Sequence, residues 1–228
     1  MNGLTSRQIS YALVFPIVIV IAVILGLLVL RKDRKYWGNR FFAFTFWFFA
    51  LGVGLNFIYL FSYDSFIIAF LNYLSICCVG GGSISLLLGI LVIYKGENEI
   101  IQNKLTYFFI IMMIVVMIIQ GLIPEGIRVE LYVPKWSIPY GIYSIIFGQA
   151  LFFSILFFSI KLYRELSSEM QRKFFIFILG MICENISITS IFIKNMYIIP
   201  GYELIDGLFN LLAFISVILI YFGIIRRQ

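Results

Sequence analysis

Apolar residues come in seven long runs along this chain, over residues 9–30, 41–62, 67–94, 105–123, 137–160, 174–193 and 204–225, and the short stretches between them hold nearly all the charge. A helix rises 1.5 Å per residue, so about 20 residues cover a bilayer core roughly 30 Å thick. The pattern therefore predicts seven transmembrane helices in an all-α polytopic bundle. The third run is longer than one crossing needs, which predicts tilt or an extension into a loop. The first run lacks a basic start close to its apolar core and a small-residue cleavage site before Arg31, so it is read as a retained helix. Two charged residues interrupt the runs, Glu184 in the middle of the sixth and Asp206 near the start of the seventh.

Composition agrees with the pattern. The chain is 62% hydrophobic and 12% charged, with a mean hydropathy of +1.05, whereas a soluble domain is about 45 to 50% apolar and about 25% charged. The runs nearly fill the 228 residues, so the expectation is one seven-helix domain over 1–228 with no soluble domain. Localisation follows as multi-pass, in the cell membrane.

The net charge of +6 is explained by topology rather than by nucleic acid, because the cations gather at the ends of runs and form no basic stripe with interleaved aromatics. Placing the 31–40, 95–104 and 161–173 loops and the C-terminus inside leaves only Arg7, Arg128, Lys135 and Lys194 of the 17 Lys and Arg outside. That bias predicts an outside N-terminus and a cytoplasmic C-terminus. Tyr36, Trp37, Tyr107, Tyr163 and Tyr221 then mark the inner interface, and Tyr63, Trp136, Tyr140, Tyr197 and Tyr202 the outer one.

Two loops carry local signals. Ser168 followed by Gln171 fits a capping box, which starts the sixth helix before its apolar run. In the outer loop, residues 127–133 nearly alternate apolar and polar, the pattern of an extended segment over the outer mouth, or else of an interfacial linker.

The absence of histidine removes Ser-His and Cys-His nucleophile pairs, HExxH zinc sites and the usual proximal haem ligand. Cys77, Cys78 and Cys183 all lie inside apolar runs without CxxC spacing, so neither a disulfide framework nor a zinc site is expected. No enzyme activity, metal or cofactor is predicted.

Polar residues inside the runs are the candidate binding groups. Gly52, Asn56 and Tyr59 share a face of the second helix, Gly180, Glu184 and Ser187 of the sixth, and Glu203, Asp206, Gly207 and Asn210 of the seventh. Asn56, Asn72 and Asn210 fall in the outer half, with Glu184 and Asn185 just below. Together they outline an outward-facing polar chamber; read separately, the asparagines are interhelical glue worth about 0.6 kcal/mol each. Asp206 and Glu203 also fit a solvated helix end. Glu184 is different. A carboxylate at the bilayer centre costs about 2.5 to 3.5 kcal/mol on insertion scales, and no Lys or Arg lies at its depth. It is either protonated and hydrogen-bonded, with Asn56 or Asn210 as partner, or it holds a cation.

In the third helix Cys77, Gly81, Ser85 and Gly89 recur every four residues, a small-residue stripe that lets another backbone approach closely. Its partner is a helix of this bundle or a second copy in a homodimer. Gly80, Gly81 and Gly82 also weaken the helix locally and allow a kink.

The stretch RKDRKYWGNRFFAFTFWFFALGVGLNFIY, a basic turn followed by an aromatic helix containing Trp47, resembles the second-helix region of the seven-helix sensor modules at the N-termini of membrane histidine kinases and related signalling proteins. Helix number, orientation and short loops are similar over nearly the whole chain. The resemblance implies a sensor; with no helical linker or phosphoacceptor domain expected, its output would pass through a separate partner at the 31–40 and 161–173 loops. Those basic loops also suit anionic lipid of the bilayer. The rival reading is a small-solute or cation- or proton-coupled transporter with a 3+1+3 bundle like that of small sugar carriers, in which Pro16 and Pro139 occupy corresponding places. A structural or assembly subunit is the third. Microbial rhodopsins are set aside, since their seventh-helix retinal lysine has no counterpart between Glu203 and Ile225.

Overall fold

A computed structural model describes the backbone of residues 6–130, 132–197 and 202–225; the side chains at 6–13, 202–207, 210, 224 and 225 lie outside that description. The helices are α1 (Ser6–Lys32), α2 (Trp37–Tyr59), α3 (Ser65–Lys95), the short α4 (Glu97–Ile101), α5 (Lys104–Gly121), α6 (Ile138–Glu165), α7 (Ser168–Met196) and α8 (Tyr202–Ile225). Strands β1 (Ile127–Glu130) and β2 (Val133–Trp136) pair antiparallel between α5 and α6. Among the described residues six helices are long and apolar enough to cross a membrane: α1, α2, α3, α5, α6 and α7. The protein is thus membrane-embedded and multi-pass. In α8 the stretch Leu211–Gly223 is apolar.

Helix ends run past the apolar runs because charged and capping residues continue the turns outside the hydrocarbon. The Asp64 carboxylate accepts from the N–H groups of Phe66 and Ile67 at 2.8 and 3.0 Å and so starts α3, while Asn103 accepts from Leu105 at 2.9 Å to start α5. At the basic end the Trp37 N–H donates to Glu97 at 3.2 Å, tying the start of α2 to α4, and Asp33 accepts from the Lys35 N–H at 2.8 Å. The capping box is corrected: α7 does begin at Ser168, but its N-cap is Ser167 and no side chain caps it. The triple glycine of α3 does not interrupt that helix, which runs unbroken for 31 residues.

The helices form two groups of three. In one, α2 packs against both α1 and α3; in the other, α7 packs against both α6 and α8; α3 and α6 join the groups. Helix α5 touches α3 and α6 lightly: of its residues only Gln120 is buried, Phe109, Ile110, Met113 and Met117 pack partly buried against the core, and most of its other apolar side chains are exposed. An apolar outer surface needs no protein partner when lipid is the solvent.

Glycines set the closest crossings. A β-carbon on Gly180 would lie 2.9 Å from the Ile220 backbone nitrogen, and one on Gly223 would lie 2.6 Å from that of Phe177. Both distances are below any normal contact, so α7 and α8 meet backbone to backbone. In the α3 stripe Gly81 faces the Phe48 ring and Gly89 the Phe42 ring, at 3.1 Å from an added β-carbon in each case. Those rings belong to α2, so the partner of the stripe at these two glycines is a helix of the same bundle.

The core divides along the bundle axis. Towards the basic end, Phe42, Phe46, Ile90, Phe177 and Ile220 centre a cluster to which α1, α2, α3, α6, α7 and α8 all contribute, each of these five being at most 2% exposed. Towards the hairpin end, Trp136, Tyr140 and Phe192 form a smaller aromatic cluster, with the Trp136 ring 5.3 Å from Tyr140 and 5.0 Å from Phe192.

Candidate functional site

Between those clusters lies a central cavity of about 200 Å³, lined from α1, α2, α3, α5, α6, α7 and α8. Its walls combine Phe49, Phe147 and Phe152 with Asn56, Glu184 and Asn185. Glu184 sits near the middle of α7, half-buried, and lines the cavity. Among the described residues it has no hydrogen-bonding or ionic partner, and no Lys or Arg lines the space. Asn56, just under one turn before the end of α2, lines the same cavity, and its buried Oδ1 has no hydrogen-bond partner.

Asn185 belongs to a bridge between α6 and α7. The Gln149 side-chain N–H donates to Asn185 Oδ1 at 3.2 Å and to Thr189 Oγ1 at 2.8 Å, and Asn185 Nδ2 donates back to Gln149 Oε1 at 3.3 Å. Three polar side chains thereby satisfy one another at membrane depth, where water does not compete. A second link lies nearer the hairpin end, between α5 and α6, where the buried Gln120 amide donates to Ser144 Oγ at 2.6 Å and Ser144 donates to the Tyr140 carbonyl at 2.7 Å. Ser75 donates to the Gly52 carbonyl at 3.0 Å, and Ser187 donates to the Phe209 carbonyl of α8.

The predicted site residues separate accordingly. Glu184, Asn185 and Asn56 converge on one cavity. Asn72 does not line it: its Oδ1 accepts from the Trp136 indole N–H at 2.9 Å, a bond buried at the hairpin end. The sequence gives depth along a helix but not the direction a side chain faces, and here Asn72 faces the hairpin. The side chains of Asp206 and Asn210 lie outside the described residues. Gln149, Thr189, Gln120 and Ser144 went unselected from the sequence, although the two glutamines, as amides inside apolar runs, carry the same signal that singled out the asparagines.

The loop between α5 and α6 is a hairpin rather than a single extended segment. Ile127 pairs with Trp136 and Glu130 with Val133, and Tyr132 takes the turn with φ of 63°. It packs on α3 and α7, and Tyr132 meets Tyr63 edge to face at 5.4 Å. None of its described residues lines the cavity. Among the described residues no three His, Cys, Asp or Glu side chains cluster as metal ligands. No family model matches the chain and no curated protein matches it in sequence, so a function is argued from this cavity alone.

Proposed function

We propose that this is a receptor or sensor-like protein of the cell membrane, non-enzymatic, with seven spans, an outside N-terminus and a cytoplasmic C-terminus, whose cavity takes a small ligand from the outer side. The observation that carries the reading is a carboxylate without a partner among the described residues, enclosed at mid-membrane with an unmatched amide oxygen beside a cavity. A charge kept at that cost is a binding group by default. Because the Gln149 bridge joins α6 to α7 beside the cavity, a ligand competing for those amides would shift one helix against the other. The basic 31–40 and 161–173 loops would pass that shift to a separate partner. The aromatic and aliphatic cluster towards the basic end favours binding without passage.

The second reading is a small-solute transporter, favoured by the grouping of three helices, a loosely held α5, and three more, with the cavity lined from both groups. A ligand screen by thermal shift on wild type and Glu184→Gln, followed by flux in proteoliposomes, separates the two. Binding without flux is the sensor outcome; flux abolished by Glu184→Gln is the transporter outcome. Unchanged folding, binding and transport in Glu184→Gln would remove Glu184 from both.

A further inference from the structure

Resting on the reading of this cavity as a ligand site, we infer that its ligand is a small organic ammonium ion, a protonated amine on an apolar body about the size of one aromatic ring with a short chain. The cavity wall holds one acidic group and no cation to compensate it. The hydroxyls of Thr45, Ser75, Ser83 and Ser144 donate to backbone carbonyls, and the amide N–H groups of Gln149 and Asn185 are turned on each other and on Thr189. Of the lining residues only Glu184 is acidic, and among the described residues its carboxylate has no partner while no cation lines the walls; Asn56, on the same wall, keeps a buried Oδ1 that no donor reaches. A ligand that completes the carboxylate supplies a positive charge and N–H donors, and a primary ammonium supplies both from a single atom.

The walls select the rest of the molecule. Phe49, Phe147 and Phe152 line the same space, and aromatic walls are the surroundings in which ammonium groups are held. The volume of about 200 Å³ compares with about 150 Å³ for a cavity that accepts benzene, so one ring and a short chain fill it. A bare inorganic cation fits less well. It needs about six oxygens at short range, whereas the described residues offer no cluster of three His, Cys, Asp or Glu side chains, and most of the cavity would stay empty around it.

The test uses the full chain in detergent at about pH 7, with phenethylammonium as the probe and two partners of similar size, neutral 3-phenylpropan-1-ol and anionic 3-phenylpropanoate. Sodium chloride alone is the inorganic control. Phenethylammonium is expected to raise the unfolding midpoint and to bind by calorimetry, and the other three are expected to do neither. Glu184→Gln should weaken that binding by about 30-fold or more, the loss typical of removing one partner from a buried charge pair, while Glu184→Asp keeps the charge and retains part of it. The unliganded midpoints of both variants report whether they fold. The inference is overturned if the alcohol or the carboxylate binds as tightly as the ammonium, if sodium alone gives the shift, if Glu184→Gln binds as well as wild type, or if no binding of phenethylammonium is detected. The site reading has its own control in Gly148→Leu, which fills the cavity from a position where an added β-carbon makes only an ordinary 3.6 Å contact with Phe192. A neutral or anionic ligand that stabilises the wild type and is lost in Gly148→Leu would leave a binding cavity and remove the ammonium. If no compound of the wider screen stabilises the wild type, both readings fall.

Discussion

Asn72 and Trp136 form a buried pair in which each satisfies the other, at 5% and 4% exposure. Replacing Asn72 by leucine keeps the volume and strands the indole N–H, so stability should fall by about 1 to 3 kcal/mol, the cost of an unmatched buried donor. Chemical unfolding in detergent measures it, and Trp136→Phe in the Asn72→Leu background should add less than it does in wild type, because the two changes remove the same bond. Full additivity would show that the bond contributes nothing. Glu184 was legible in the sequence because a carboxylate is expensive at that depth whatever surrounds it. The role of Asn72 was not, since the rotation of α3 about its axis and the fold of a hairpin 64 residues away decide whether its amide meets a cavity or an indole. Gln149 was hidden for the same reason: its partners Asn185 and Thr189 are a helical turn apart on α7, and only the facing of α6 and α7 brings the three together.

At the scale of elements, the crossing of α7 and α8 depends on two glycines. Gly180→Leu should separate these helices and destabilise the protein by a few kcal/mol, in the range of overpacking in a tight core, of about 1 to 3 kcal/mol or more. Gly148→Leu, whose β-carbon meets only a ring at 3.6 Å, should be tolerated far better. Comparing the two unfolding midpoints checks this, and equal midpoints would refute the close crossing. The spans themselves were readable because lipid demands long apolar helices and permits little else. Their ends were not. Helix α7 starts six residues before its apolar run, through Arg172 and Lys173, since exposed charged residues extend a helix into water without cost to the hydrophobic pattern. The hairpin was half visible: β1 alternates in sequence, but Pro134 in β2, opposite Val129, breaks the strand pattern that would have announced the second half.

For the whole molecule, the proposed orientation makes a direct prediction. Single cysteines placed at Arg34 and Arg128 should be labelled by a membrane-impermeant thiol reagent from opposite sides in intact cells, Arg128→Cys from outside and Arg34→Cys only after permeabilisation. The reverse pattern would invert the topology and turn the cavity argument around with it. The same arrangement of two helix triplets about one cavity means that the binding groups come from both triplets, Asn56 from the first and Glu184 with Asn185 from the second. A ligand bridging Asn56 and Glu184 would therefore draw the triplets together, whereas a ligand held by Glu184 and Asn185 alone would not.

The seating of the Trp136 indole also gives the protein a built-in optical reporter. Of the three tryptophans, Trp37 lies at the basic end, Trp47 packs beside Gly26, and Trp136 alone sits in the hairpin. With Trp37→Phe and Trp47→Phe in place, the remaining fluorescence comes from a buried, hydrogen-bonded ring held 5.0 Å from Phe192 of α7. Its emission should be short in wavelength and resistant to aqueous quenchers, and Asn72→Leu should shift it. A ligand that moves α7 would then announce itself as a change in colour, without any label and before its chemistry is known.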